Sequence, residues 1–191
     1  MRRYAFLLAA ALLAPLPAAA QVTNYPNLLP QNWSAEPKGM EDETLGLLLP
    51  CGINRISANM RLSNRTKLRA LLPSVEMNFS TGRASESVLL RLQENDARLE
   101  LIMRKGGGAR NGQELRFTMP GSYGRDMAVV VRWHADGRFD VTAGGRTHSL
   151  PMKAAPTDVE FIARGGKGDI TNLRTGWEGG GQAAACAKPL R

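Results

Sequence analysis

The stretch Met127-Ala-Val-Val-Val-Arg-Trp-His-Ala-Asp-Gly-Arg-Phe-Asp-Val-Thr-Ala143 decides the fold. Its first seven residues are β-branched and nearly all apolar, with Met127, Val129, Val131 and Trp133 in phase on one side, which places Trp133 in a core. Asp136-Gly137 is a strong hairpin signal because glycine accepts the positive φ of a tight turn. Arg138 to Thr142 then returns as a second strand. Working outward, Val75 to Phe79 alternates with period two before Thr81-Gly82, Val88 to Leu92 is a compact apolar run, and Leu99 to Met103 follows the turn-prone Glu94-Asn95-Asp96. Glu114 to Met119 ends at Pro120-Gly121. Gly144-Gly145 makes a turn into Thr147 to Met152, and Asp158 to Ala163 and Asp169 to Leu173 complete the series. Short strands at this spacing, with almost no helical periodicity, predict an all-β, two-sheet antiparallel sandwich or barrel.

The N-terminus reads differently. Arg2 and Arg3 precede an apolar run from Tyr4 to Leu16, and Ala18 and Ala20 fit the small-residue rule for cleavage before Gln21. Residues 1–20 are therefore expected to be a signal peptide, and the protein secreted or periplasmic. Pro15 and Pro17 break the run well short of the ~20 residues that span a bilayer, so no transmembrane anchor is expected. Residues 21–50, punctuated by Pro26, Pro30, Pro37 and Pro50, read as an extended N-terminal arm with one short strand at Leu45 to Leu49. The sandwich is expected over 51–177 and a C-terminal tail over 178–191. Cys51 and Cys186 are the only cysteines, and in an oxidising compartment they most simply pair, tying the tail to the start of the sandwich. The loop so closed holds about 135 residues, for which chain entropy gives about 5 kcal/mol.

The chain of 191 residues carries 25 Lys and Arg against 17 Asp and Glu. Loss of Arg2 and Arg3 with the leader would leave 23 against 17. A basic surface suits anionic partners such as acidic glycans or phospholipid head groups, and export makes nucleic acid an improbable one. No C-x-x-C occurs, and His134 and His148 are the only histidines, so no cofactor or metal is expected. Neither a Gly-x-Ser-x-Gly elbow nor the strand-borne Glu-x-Asp-x-x-Glu of sandwich glycosidases is present, and no catalytic residue is assigned.

The order of segments from about Leu68 to Trp177 resembles the galectin-type jelly roll, a concanavalin-like lectin sandwich. The resemblance runs through Val75 to Gly82, Ser87 to Leu92, Asn111-Gly112-Gln113-Glu114-Leu115-Arg116, Gly137 to Val141, Gly145 with His148, and Gly168-Asp169-Ile170. It implies a carbohydrate-binding module without catalytic function. Glu114 and Arg116 are similar to the family's Glu-x-Arg, where a carboxylate accepts from sugar hydroxyls and an arginine fork holds it. The resemblance puts Arg91, Gln93 and Asn95 at the family's His, Asn and Arg positions, Arg104 at another Asn, and Asn111 where the family has its stacking Trp. Three arginines, Arg91, Arg104 and Arg116, would make such a groove basic and favour an acidic glycan or another anionic surface ligand. The alternatives left open are a protein-interaction or structural domain with a decayed sugar site, and a glycoside hydrolase.

Overall fold

A computed structural model describes residues 22–24, 29–38, 41–50, 52–63, 72–81, 87–95, 98–106, 114–119 and 123–178. The chain runs through strands β1 (Val22–Asn24), β2 (Trp33–Ala35), β3 (Glu43–Leu48), β4 (Arg55–Leu62), β5 (Ser74–Ser80), β6 (Ser87–Asn95) and β7 (Arg98–Lys105). It continues through β8 (Glu114–Met119), β9 (Met127–Trp133), β10 (Arg138–Ala143), β11 (Arg146–Pro151), β12 (Asp158–Arg164) and β13 (Gly168–Glu178). No helix occurs among the described residues. One sheet has the order β1-β13-β4-β9-β10-β11, with β2 also on β13; the other is β3-β12-β5-β6-β7-β8. The strand pairings among the described residues are antiparallel throughout, so the expected two-sheet sandwich is the fold.

Strand alternation builds the core. In β4, Ile56, Ala58, Met60 and Leu62 are buried while the residues between them are half-exposed. Met77, Phe79, Leu90, Leu101 and Phe161 of the six-stranded sheet meet them from the other side, all at 0% exposure. Phe79 and Phe139 bridge the sheets edge to face at 5.4 Å. Each such side chain contributes roughly 1.5–3 kcal/mol by leaving water. Trp133 is 6% exposed and belongs to this core, as its phase requires.

The turns follow their sequences. Gly137 has φ 81°, and Asp136 Oδ1 accepts from the Arg138 amide at 3.1 Å, which closes the β9–β10 hairpin. Gly144 and Gly145 both have positive φ, the two-residue turn that matches strand twist.

The proline-punctuated N-terminal segment is woven into the sandwich. β1 pairs with the end of β13, β2 with its beginning, and β3 forms the edge of the opposite sheet on β12. Between β1 and β2, β13 carries a bulge from Thr171 to Arg174 with Asn172 at φ 54°. Asn32 Oδ1 accepts from the Asn172 amide at 3.2 Å and the Gln31 carbonyl from Leu173 at 3.0 Å, so the arm follows the bulge. Cys51 and Cys186 lie outside the described residues, as does the leader.

Candidate functional site

Register sorts the six-stranded sheet's outer face into rows. One row runs Ile162, Glu76, Arg91, Ile102, Arg116; a second runs Arg164, Ser74, Gln93, Glu100; a third runs Gly46, Glu160, Asn78, Leu89, Arg104, Glu114. Arg91, Gln93, Arg104, Glu114 and Arg116 thus occupy outward positions on three adjacent strands, and Asn95 continues the outward alternation of β6. For Asn95, Glu114 and Arg116 the strand position is described and the side chain is not. Asn111 lies outside the described residues.

The first two rows are closed at their centres, with Arg91, Arg164 and Glu100 half-exposed around them. Ser74 is 2% exposed, Glu76 1%, Gln93 8%, Ile102 4% and Ile162 6%, although all sit on an outer face. Glu76 is the reason for much of this order. Its Oε1 accepts from Arg91 Nε at 2.8 Å and Ser74 Oγ at 3.0 Å, with Arg164 Nε 3.1 Å away. Arg164 is in turn held by Asp42 at 2.7 Å. A buried carboxylate costs several kcal/mol unless it is paired, so Glu76 fixes both arginines in place. Arg91 is therefore a strut of the face, with its Nε committed to Glu76, and buried Gln93 offers a ligand little surface.

The third row is open along its described side chains, as is the row beyond it, Leu48, Asp158, Ser80 and Ser87. Glu160, Asn78, Leu89 and Arg104 are half-exposed, and Gly46 at the sheet edge is exposed. A Cβ built on Gly46 meets nothing within 4 Å. The row presents a carboxylate, an amide and a guanidinium around one apolar side chain. Asn78, Glu160 and Gly46 were not singled out from sequence, and the signal that finds them is register: each stands on the same cross-strand line as Arg104 and Glu114.

The three tryptophans of the chain, Trp33, Trp133 and Trp177, all lie on strands of the seven-stranded sheet. Trp33 packs against Phe161 with ring centroids 5.8 Å apart. The described part of the six-stranded face therefore has no indole plane for stacking. On the opposite sheet, His134 Nε2 lies 2.8 Å from Asp140 Oδ2 while Ser149 Oγ donates to Oδ1 at 2.6 Å. The carboxylate stands between serine and histidine, whereas a nucleophilic serine needs the histidine in the middle.

Solved structures share this architecture. The chain superposes on a transglycosylase, apo Crh5, with TM-score 0.55 and 10% identity over 89% of this chain and 81% of that one. The CBM2 module of the evolved Dit of Lactobacillus casei BL23 phage J-1 gives 0.54 and 12% over 85% and 91%. The Caenorhabditis elegans galectin LEC-6 gives 0.50 and 8% over 76% and 95%. At these identities what is shared is the fold, a galectin-like β-sandwich. No protein-family model matches the sequence, and no curated protein does.

Proposed function

We propose that this domain is a non-catalytic carbohydrate-binding module whose ligand lies along the open row from Gly46 and Glu160, through Asn78 and Leu89, to Arg104 and Glu114. The observation that carries the reading is that Gly46, Glu160, Asn78, Leu89 and Arg104 are all exposed or half-exposed, whereas the centres of the next two rows, at Glu76, Ile162, Ile102, Ser74 and Gln93, are buried. A sugar offers hydroxyls and an apolar ring face; acceptors and donors flanking a leucine complement both. Six strands at ~4.8 Å spacing give a track of about 24 Å, which suits an oligosaccharide better than a single sugar.

Charge refines the ligand class. The face places Arg91, Arg98, Arg104, Arg116 and Arg164 among Glu76, Glu100, Glu114, Glu160 and Asp158, so its arginines are matched by carboxylates. That balance supports a neutral oligosaccharide before an acidic one. Glu160 and Glu114 stand four strands apart, about 19 Å. Asp158 and Glu160, alternate residues of β12, share this face about 7 Å apart, inside the roughly 5–9.5 Å that a glycosidase pair needs. The reducing-sugar assay, and not carboxylate spacing, therefore separates binding from cleavage. Export through residues 1–20 and a Cys51–Cys186 bridge belong to the same reading, since both suit a glycan binder working outside the cytosol.

A glycan array run beside a reducing-sugar assay tests it. The expected result is binding of a neutral oligosaccharide without release of reducing ends, with Asn78→Ala and Arg104→Ala each weakening binding about tenfold. Turnover lost in Glu160→Gln would make the domain a hydrolase. A folded protein that binds no glycan would make it a protein-interaction or structural domain.

A further inference from the structure

The outer face of the seven-stranded sheet has a built feature of its own at the end where β4, β9 and β13 meet. Arg55 on β4 stands directly opposite Arg132 on β9, and Arg132 opposite Asp140 on β10. Like charges facing across strands are destabilising unless something holds them. Here Glu178 does so: its Oε2 lies 3.5 Å from Arg55 Nε and 2.5 Å from Arg132 Nε. Glu178 is itself pinned, its amide donating to Asn54 Oδ1 at 2.8 Å and its carbonyl accepting from Asn54 Nδ2 at 2.9 Å. Arg138 reaches Asp140 at 3.4 Å from two residues earlier on the same strand, and exposed Arg174 sits opposite Ser57, on the other side of Arg55.

Three arginines, Arg55, Arg132 and Arg138, therefore stand around two carboxylates. The hydrogen-bond account is as unequal as the charge. Each guanidinium has five N–H donors in a planar fork. Among the described residues, Glu178 is the one side chain recorded against Arg55 and Arg132, and the buried Nε atoms of both stand at ion-pair distance from Oε2 without a directional hydrogen bond. Asp140 is already taken by His134 and Ser149. Donors held on rigid strands in excess of acceptors fit a compact oxyanion with several acceptor oxygens, for which arginine forks are the common partner.

We propose that Arg55, Arg132 and Arg138 form a binding site for a phosphate group, on the sheet opposite the carbohydrate face. The net positive charge of the sequence thus finds its anionic ligand here, on a surface independent of the sugar reading. The phosphate can be free or carried on a lipid head group, and the two sources separate in one experiment. Inorganic phosphate is titrated calorimetrically into the full chain at low salt, and the same protein is sedimented with phosphatidylcholine vesicles with and without phosphatidylglycerol. The native protein is expected to bind phosphate, and Arg132→Gln and Arg138→Gln each to weaken it about tenfold. Arg138 has a side chain 52% exposed, so its variant keeps the fold and keeps glycan binding. Exposed Arg125→Gln removes the same charge elsewhere and is expected to change nothing. Phosphatidylglycerol-dependent sedimentation competed by phosphate assigns the site to a lipid head group; calorimetric binding without sedimentation assigns it to a soluble phosphate. Absence of both, unchanged affinity in Arg138→Gln and Arg132→Gln, or an equal loss in Arg125→Gln would overturn the proposal without touching the carbohydrate reading.

Discussion

A Cβ placed on Gly168 would come within 2.9 Å of the Val75 Cβ and 3.2 Å of the Ala163 Cβ. Those atoms belong to the facing sheet, so the two layers approach closely at this glycine, and no flexible side-chain end can yield. Gly168→Ala is expected to cost about 1–3 kcal/mol by overpacking, while Gly46→Ala, with open space around it, should stay within about 0.5 kcal/mol of native; urea denaturation compares them. Its neighbour Asp169 is 3% exposed. Burial alone would raise its pKa, but hydrogen bonds from Ser34, Ser63 and Arg61, together with the Arg61 charge, outweigh burial and hold the carboxyl below its ordinary 3.8. A lowered native pKa means that the stability Asp169 contributes is complete above about pH 4 and is lost as pH falls through the native value. Asp169→Asn should therefore be less stable than native at neutral pH by about 1–3 kcal/mol and show a flatter stability curve below pH 4, read from thermal melts across pH. At this scale the sequence conceals more than it shows. Glu76 sits in a run that alternates like any strand, and only the register that brings Arg91 across from it and Arg164 alongside reveals why a carboxylate is buried there.

Among the elements, those with long uninterrupted alternation were legible to the residue. β8 and β9 begin and end where the pattern does, and the Asp136-Gly137 and Gly144-Gly145 turns fall where glycine is required. β13 was legible only in part. Its bulge moves the inward phase from Gly168 and Ile170 to Leu173 and Thr175, so a period-two reading stops where the strand in fact continues to Glu178. β1 and β2 are three residues each, too short for a period, and exist because β13 offers them an edge. They cover backbone groups that would otherwise invite another strand. Trp33→Ala, which removes the contact with Phe161, should lower stability by about 2 kcal/mol and raise light scattering at partial denaturation as the β13 edge opens. Unchanged scattering would mean that the arm does not guard that edge.

For the whole molecule, the two outer faces divide the chemistry. The six-stranded face is charge-balanced and buried at the centres of two of its rows; the seven-stranded face gathers Arg55, Arg132 and Arg138 at one end. Sequence alone placed the candidate residues on one face because alternate positions in a strand share a side. It gave no means of separating the open row from the closed ones, since burial of Gln93 and commitment of Arg91 to Glu76 depend on neighbours far along the chain. The claim on which the functional account turns is that sugar binds along Glu160, Asn78, Leu89 and Arg104. Backbone amide shift mapping by NMR, with the best neutral oligosaccharide from the array, tests it most directly. The account predicts perturbations confined to those four residues and their strand neighbours. Shifts clustered on the seven-stranded sheet, or centred on the closed row at Gln93, would contradict it.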